Sequence, residues 1–343
     1  MVVGPPCKVL LFSEGDMIKR APTPGGVAAA ADRIAGLVIH TPLLPFTWRG
    51  QTIWVKAECL QTGGAFKLRG ATNRLLQLTP EERRCGVVAF SSGNHAQGVA
   101  IAAQRLGIAA TIIMPSDAPS VKKDGTRAAG ARVVEYDRAT GDREAIGAQL
   151  VAESGATLVP PFDDPHIIEG QGSVGVEIAN QMVELAGGRP QLVILPCGGG
   201  GLAAGTTLAL PDADIVVVEP EGWDDMGHSI ARGEPVPVAD PFAPTLCDAL
   251  QTRQVSPLTL QVVRDRHARA LAVSDAEVSA AVAFAARKLR LVVEPGGAAA
   301  LAALLAGKIG MLPERTVIVL SGGNVDPLLY AEIIRSHAAE VIE

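Results

Sequence analysis

Strand-like and helix-like segments alternate along most of this 343-residue chain, and few folds can accommodate that alternation. Short apolar runs rich in β-branched residues are followed repeatedly by Ala-rich segments with helical spacing of their apolar residues. Alternating strands and helices require crossover connections and a mainly parallel sheet with helices on both faces, so the pattern predicts an α/β protein. Strands are predicted at residues 52–58, 87–90, 110–114, 131–136, 157–159, 192–196, 214–219 and 316–320, and helices at 67–78, 95–106, 118–129, 142–154, 166–186, 201–209 and 327–337.

The length of the chain and the spacing of these units predict two domains. At about 100–200 residues per domain, 343 residues suggest two. The units between residues 85 and 163 are compact enough to form a small sheet of their own, whereas residues 1–24 mix Gly, Pro and charge without periodicity. We therefore expect an N-terminal extension at 1–24, a large domain at 25–84 and 164–343, and a small domain at 85–163, with a cleft between two open, mainly parallel sheets.

Composition and charge exclude several classes of partner. The sequence is 48% hydrophobic and 19% charged, which is not the composition of a disordered chain. Its 30 Lys and Arg residues against 36 Asp and Glu residues give a net charge of −6, so we expect no nucleic acid and no anionic lipid as a partner. The uncharged stretch 190–211 contains proline and several glycines and is interpreted as strand, loop and helix, and the apolar run near the N-terminus is too short for a signal peptide. These features predict a cytoplasmic protein with no membrane contact.

Four consecutive glycines form the sharpest local motif. Gly198, Gly199, Gly200 and Gly201 follow an apolar strand and open an Ala-rich helix. Their amide groups can converge on an anion, and the helix N-terminus adds partial positive charge there, so a phosphate is the expected ligand. A tight turn needs only one or two glycines, which favours a ligand over a purely structural turn.

A dinucleotide site is a second interpretation of the same glycines. Gly199, Gly201 and Ala204 fit the fingerprint G-x-G-x-x-A, and Glu219 ends the next predicted strand twenty residues after Gly199, where a ribose-binding acid would stand. Alone, this pattern would indicate an NAD-dependent dehydrogenase. Gly- and Ala-rich helices also match it by accident, so the other motifs must decide.

Two further motifs each have a structural and a functional interpretation. Lys67 enters a helix from a glycine-rich turn, between Phe66 and Leu68, where partial burial would lower its pKa and make the amine nucleophilic. A solvated lysine at a helix start is the alternative. Near the C-terminus, the run from Ser321 to Asn324 with two glycines between them is either a Gly-rich turn or part of a site.

A dense polar run joins the predicted strand 87–90 to the next helix. It consists of Ser91, Ser92, Gly93, Asn94 and His95. One of the Ser or Asn side chains is expected to cap the helix, but capping does not require so many polar groups at once. N–H and O–H donors at a helix N-terminus suit a carboxylate, so the run predicts a carboxylate-binding loop.

In this order and with this spacing, the four motifs resemble the fold-type II family of pyridoxal-phosphate enzymes. The chain is most similar to the threonine/serine dehydratases and to the related serine racemases and 3-hydroxyaspartate dehydratases. The resemblance covers roughly residues 25–340. It implies pyridoxal phosphate as cofactor, a cofactor-binding large domain, and an active site in the cleft between the two domains.

The resemblance also implies a role for each motif. Lys67, next to Phe66, would form the Schiff base with the cofactor and act as general base. The substrate carboxylate would be received by Ser91, Ser92 and His95, and in racemases a serine at position 92 also delivers a proton. The remaining cofactor contacts are the phosphate loop of Gly198, Gly199, Gly200, Gly201 and Leu202, Asn94 at the pyridine 3-hydroxyl, and Ser321 at the pyridine nitrogen.

The reaction implied is α,β-elimination of a β-hydroxy amino acid such as L-threonine or L-serine to a 2-oxo acid and ammonia. One departure from the dehydratase pattern matters: Thr-Gly-Ser-Phe-Lys is commoner, whereas residues 63–67 here are Gly-Gly-Ala-Phe-Lys, with Ala65 in place of the serine. Gly-Ala-Phe-Lys also occurs in the hydroxyaspartate branch of the family. The alternatives are therefore a 3-hydroxyaspartate dehydratase or a serine racemase.

An acidic segment after the predicted strand 214–219 resembles the divalent-cation loop of the racemase and dehydratase branch. The resemblance implies Glu219, Asp225 and the carbonyl of Trp223 as ligands, and such oxygen donors suit Mg²⁺ or Ca²⁺. A solvated acidic loop is the alternative. We further expect an amino-acid substrate and a homodimer or homotetramer.

Overall fold

The computed structural model describes residues 20–91, 93–118, 120–138 and 140–338, which form two sheets. Its strands are β1 (Leu43–Trp48), β2 (Gln51–Ala57), β3 (Val87–Phe90), β4 (Ala110–Pro115), β5 (Arg132–Tyr136), β6 (Thr157–Leu158), β7 (Leu192–Pro196), β8 (Asp214–Pro220), β9 (Arg269–Val273) and β10 (Thr316–Leu320). The large sheet has the order β1-β2-β10-β7-β8-β9, and the small sheet has the order β5-β4-β3-β6. The α/β prediction with two mainly parallel sheets is confirmed.

The strands are parallel except at one edge of the large sheet. There, β1 and β2 form an antiparallel hairpin in which Trp48 pairs with Gln51. The two connecting residues, Arg49 and Gly50, have φ values of 49° and 80°, the left-handed pair that a tight two-residue hairpin requires. All pairs of the small sheet are parallel, and its four strands lie within the predicted small domain. The domain boundaries themselves stay a prediction.

Helices cover both faces of the large sheet. In β7, Leu192 and Ile194 point into one apolar core, and Val193 and Leu195 point into the other, as expected for a strand that is buried on both sides. The described helices are α1 (Pro24–Ile34), α2 (Lys67–Leu76), α3 (Pro80–Cys85), α4 (Asn94–Leu106), α5 (Ser120–Ala128), α6 (Arg143–Ser154), α7 (Pro165–Ala186), α8 (Gly201–Ala209), α9 (Asp225–Arg232), α10 (Pro257–Asp265), α11 (Asp275–Phe284), α12 (Pro295–Leu305) and α13 (Pro327–Ser336).

Glycines bring α7 and α8 unusually close together. A Cβ atom at Gly205 would lie 2.3 Å from the Ile168 carbonyl oxygen, and one at Gly172 would lie 2.7 Å from the Gly205 carbonyl oxygen. Only residues without a side chain allow this approach. The close packing fixes the N-terminus of α8, where the glycine motif stands, against the body of the large domain.

The predicted elements are all present, with ends that differ by a few residues, but several further elements were missed. The clearest example is α12, whose residues from Pro295 to Leu304 are all buried. A helix that is apolar on every side has no amphipathic stripe, so hydrophobic periodicity does not detect it. The other elements not predicted are α1, β1, α3, α9, α10, β9 and α11.

The uncharged stretch 190–211 folds as β7, the glycine turn and α8, as expected. No helix in the part of the chain that the structure describes combines the length and the apolar character needed to cross a membrane.

Candidate active site

The Lys67 turn and the Ser321 turn lie against each other. Ala65 and Gly322 form an isolated antiparallel bridge, and the Phe66 amide donates to the Ser321 carbonyl oxygen at 3.2 Å. β10 ends at Leu320 and β7 at Pro196, and both strands run parallel, so the Ser321 turn and the glycine motif leave the same edge of the large sheet. The fold thus brings three of the four motifs together at the carboxyl edge of this sheet, where open α/β sheets usually bind ligands.

Lys67 is the first residue of α2, and its amine is removed from bulk water. Its Nζ donates to the Pro161 carbonyl oxygen at 2.9 Å and lies 5.2 Å from the centre of the Phe66 ring. Burial lowers the pKa of Lys67 to about 8. A substantial fraction of the amine is therefore neutral near physiological pH, which is the form that attacks a carbonyl carbon.

The predicted carboxylate-binding run ends in the first residues of α4, Asn94 and His95. The Gly93 amide donates to Ser91 Oγ at 3.1 Å, and His95 Nε2 donates to the Val159 carbonyl oxygen at 2.9 Å. Burial, together with the nearby Lys67 charge, lowers the pKa of His95 to about 3, so the imidazole is neutral. Its Nδ1 is buried without a hydrogen-bond partner among the described residues. Ser92 lies outside the described residues.

The side-chain amide of Asn94 is held in one orientation. Its Nδ2 donates to Glu294 Oε1 at 2.5 Å, and its Oδ1 accepts from Asn324 Nδ2 at 2.9 Å. Asn324 Nδ2 also donates to the Gly63 carbonyl oxygen at 2.7 Å. The run from Ser321 to Asn324 is therefore more than a turn, because its last residue connects the Lys67 turn to the start of α4.

The glycine motif presents unused backbone donors at the N-terminus of α8. Among the described residues, the amides of Gly198, Gly199, Gly201 and Leu202 donate to no protein acceptor. Gly200 has φ 84°, and a Cβ atom there would lie 2.5 Å from Met226 Cε. Converging free amides at a helix N-terminus make a binding site for a phosphate group.

Phe162 covers one side of the glycine loop. A Cβ atom at Gly199 would lie 2.2 Å from Phe162 Cδ1, so the ring packs directly on the glycine backbone. Its neighbour Pro161 accepts the hydrogen bond from Lys67. The segment 160–163 thus connects the amine to the glycine loop, a contact that no local pattern in the sequence indicated.

The donors of Lys67, Asn94 and the glycine loop match the polar groups of pyridoxal phosphate. Free amides suit the phosphate, the Lys67 amine suits the aldehyde, and the Asn94 amide suits the 3-hydroxyl. Ser321 is 6% exposed, and its hydroxyl makes no hydrogen bond among the described residues, so it is free to face a ring nitrogen. The residues present therefore fit the cofactor.

A cavity of about 630 Å³ is lined by residues from both predicted domains. They include Tyr136 and Arg143 on one side, and Trp223 and Asp248 on the other. Arg143 stacks over Phe90, the residue before the Ser91 loop, with its Cζ 5.1 Å from the ring centre.

The predicted cation ligands lie at the carboxyl end of β8. Both oxygens of Glu219 accept backbone amides at 2.9 Å, from Met226 and Gly227. Burial, and then the neighbouring Asp225, raise the pKa of Glu219 well above its ordinary value, and burial raises the pKa of Asp225 to about 7. The two oxygens of Asp225 are buried without a hydrogen-bond partner in the described part of the chain. Within these residues no cluster of three or more His, Cys, Asp or Glu side chains of the kind that holds a metal is found.

Glu219 does not serve a dinucleotide. It is fully buried, whereas an acid that binds a ribose must be open to the ligand. The dinucleotide interpretation of the glycine motif therefore lacks an acidic residue that could bind the ribose.

Two buried charged residues of the site were missed at the level of sequence. Lys122 was part of a predicted helix rich in charge, which is the usual pattern of a solvated face, and Glu294 precedes a Pro-Gly-Gly helix start. Both residues are 1% exposed. Their burial depends on contacts between distant parts of the chain, and no local signal reveals it.

Comparisons with known proteins agree with this geometry. A family model described as pyridoxal-phosphate dependent enzyme matches residues 34–322. L-threo-3-hydroxyaspartate ammonia-lyase from Saccharomyces cerevisiae is 40% identical over 321 residues, which cover 91% of this chain and 96% of that protein. Serine racemase from Schizosaccharomyces pombe is 37% identical and covers 91% of this chain and 97% of its own length. The solved structure of maize serine racemase has a TM-score of 0.85 at 33% identity, with 93% of this chain and 98% of that chain covered. The chain therefore belongs to the family of pyridoxal-phosphate dependent enzymes and has their fold-type II architecture.

Proposed function

We propose that this pyridoxal-phosphate dependent enzyme is an ammonia-lyase that converts a β-hydroxy amino acid into a 2-oxo acid and ammonia. The observation that carries the proposal is the Lys67 amine, whose pKa is about 8 and which stands beside the Ser321 turn and the glycine loop. In the reaction the Cα–H and Cβ–O bonds break and water leaves, and hydrolysis of the resulting enamine releases ammonia. A relative that is 40% identical and is named an ammonia-lyase supports this reaction type.

Lys67 is the proposed general base. When bound, pyridoxal phosphate supplies an aldehyde for the substrate amine and a ring that withdraws electrons from Cα. The neutral form of the Lys67 amine, favoured above about pH 8, accepts the Cα proton. Ser321 offers the ring nitrogen a neutral hydroxyl, and a hydroxyl does not hold a proton on that nitrogen as a carboxylate would. This favours prompt loss of the β-hydroxyl over a long-lived carbanion.

The loop from Ser91 to His95 is the proposed site of the substrate carboxylate. Free donors at the N-terminus of α4 and the neutral His95 ring support this role. Ser92 remains a proposed substrate contact and a proposed proton donor on the strength of the sequence motif alone. Phe66, Asn94 and the glycine loop with Leu202 remain the proposed cofactor contacts.

L-threonine and L-serine are the proposed substrates, and 3-hydroxyaspartate is the second candidate. Ala65 favours the second candidate, because it is 2% exposed, forms the bridge to Gly322 in the Ser321 turn, and leaves no hydroxyl at this wall of the site. Racemisation of serine is a further alternative, supported by the 37% identical relative named serine racemase. Incubation with L-serine, L-threonine and both 3-hydroxyaspartates, followed by measurement of 2-oxo acid and D-isomer, separates the three.

Lys67→Ala tests the proposal directly. Purified enzyme should show a visible absorbance band from bound cofactor that borohydride reduces irreversibly, and the variant should lose both that covalent link and turnover. Lys288→Ala is a suitable control, because Lys288 is exposed at the surface, in the segment that follows α11. Turnover that survives in Lys67→Ala, with Lys288→Ala unaffected, would disprove the assignment of Lys67.

We also propose that Glu219, Asp225 and the Trp223 carbonyl bind Mg²⁺ or Ca²⁺. Two unpartnered, buried oxygens on Asp225 beside a second buried carboxylate, in the described part of the chain, support a cationic ligand. Calorimetric titration with each ion should give heat of binding that Asp225→Asn abolishes and that Asp224→Asn, at a partly exposed neighbour, retains. Equal binding by both variants would rule out Asp225 as a ligand.

The assembly and the cellular location of the protein are also proposals. We keep a homodimer or homotetramer and the cytoplasm as the expected state and place of the protein. Light scattering of the purified holoenzyme determines the first, and imaging of a tagged full-length chain in its source cells determines the second.

A further inference from the structure

A buried ionic cluster joins the two predicted domains beside the candidate active site. Lys122, on α5, donates from Nζ to Asp248 Oδ2 at 2.5 Å and to Glu294 Oε2 at 3.4 Å. Lys122 and Glu294 are each 1% exposed, so water does not solvate either charge. Breaking such a pair leaves an uncompensated charge in the interior, and for that reason the two residues depend on each other.

The cluster reaches the cofactor site through Glu294. The oxygen that Lys122 does not contact, Oε1, accepts the hydrogen bond from Asn94 Nδ2 at 2.5 Å. Oε1 also lies directly over the backbone next to Ser321, since a Cβ atom at Gly322 would be 2.1 Å from it. A charged acceptor makes a stronger hydrogen bond than a neutral one, so the carboxylate holds the Asn94 amide firmly.

Asn94 has no second orientation in this arrangement. Its Oδ1 accepts from Asn324 Nδ2 at 2.9 Å, so a flipped amide would place two N–H donors against each other and turn its own oxygen towards the carboxylate of Glu294. The direction in which Asn94 presents its amide is therefore selected by Glu294 on one side and Asn324 on the other.

The charge of Glu294 depends on Lys122. Burial raises the pKa of Glu294, the Lys122 charge acts against that shift, and the Asp248 carboxylate raises the pKa further. Burial would lower the pKa of Lys122, but Glu294 and Asp248 together raise it, so the amine stays protonated. The other titratable groups facing Glu294 are the thiols of Cys59 and Cys247, and burial raises the pKa of both, so both are neutral.

We infer that Lys122 and Glu294 are positioning residues that fix the amide of Asn94 at the cofactor ring, with Lys122 supplying the charge that keeps Glu294 a carboxylate. The inference rests on the proposed function, because it assumes that the cofactor ring lies beside Asn94. Without Lys122, Glu294 would take up a proton at a higher pH than it does in wild type, because a buried carboxylate without a cationic partner has a raised pKa. The hydrogen bond to Asn94 would then lose its charge assistance.

The test is the absorbance of the bound cofactor as a function of pH. Holoenzyme of Lys122→Met should show its spectral transition at a higher pH than wild type does, and its affinity for pyridoxal phosphate should fall roughly tenfold below that transition. The double variant Lys122→Met with Glu294→Gln should lose the transition, because the titrating group is gone. Lys122→Arg, which keeps the charge, should behave as wild type.

Lys56→Met is the matched control. Lys56 is also fully buried and pairs with Glu177 at 2.6 Å, but among the described residues Glu177 pairs with Lys56 and Arg69 and not with Asn94. Loss of Lys56 should therefore lower stability without shifting the spectral transition. A Lys122→Met holoenzyme whose spectrum follows pH as wild type does would overturn the inference. If Lys122→Met does not fold, Glu294→Gln alone decides: unchanged cofactor affinity and spectrum would refute the positioning role. Absence of any cofactor band in wild type would instead refute the proposed function.

Discussion

Gly200→Ala introduces a Cβ atom where the glycine loop has no space for one. Gly200 has φ 84°, a conformation that costs a residue with a side chain about 1–2 kcal/mol. The new atom would also lie 2.5 Å from Met226 Cε and 2.9 Å from Thr259 Cβ, and such overpacking costs about 1–3 kcal/mol. The expected loss in free energy of unfolding is therefore about 2–5 kcal/mol.

Gly187→Ala separates the two contributions. Gly187 also has a positive φ, of 68°, but nothing lies within 4 Å of its Cβ position, so this variant should lose only about 1–2 kcal/mol from backbone strain. Urea unfolding of the cofactor-free proteins measures the difference, and titration with pyridoxal phosphate should show weaker binding in Gly200→Ala alone. If the two variants unfold at the same urea concentration and bind the cofactor equally, the glycine loop is not the tightly packed cradle described above.

Two further predictions concern buried charges. Lys67 has a pKa of about 8, and only the neutral amine reacts with the cofactor. When pyridoxal phosphate is added to cofactor-free enzyme, the rate at which the visible band appears should therefore rise with pH through a midpoint near 8. A midpoint above about pH 10 would show that the amine is solvated. Arg69 is fully buried and pairs with Glu58 at 2.8 Å and with Glu177 at 2.6 Å, so Arg69→Met should cost about 3–5 kcal/mol in urea unfolding. Arg84→Met, which breaks only an exposed pair with Glu81, should cost less than about 1 kcal/mol, and similar losses in the two variants would contradict this difference.

The polar motifs were predictable because each is a local structure. Four glycines between an apolar strand and an Ala-rich segment favour a strand-to-helix turn with free amides, and Gly200 indeed has a positive φ at the start of α8. The same holds for the run before α4 and for Lys67 at the start of α2. Elements without a local signal were missed, as α12 shows, because an all-apolar helix has no periodic stripe.

The amino-acid sequence by itself determined the α/β alternation, the strand-to-helix turns and the residues in those turns. These features depend on backbone geometry and on neighbours a few positions away. The tertiary structure decided how those turns meet, which charges are buried and which partners they have. Lys122 and Glu294 are 172 residues apart in the chain, and Glu294 and Asn94 are 200 apart. Because desolvation and hydrogen bonding act through space, only the packing of the two sheets buries Glu294 beside Lys122 and gives Asn94 a single orientation.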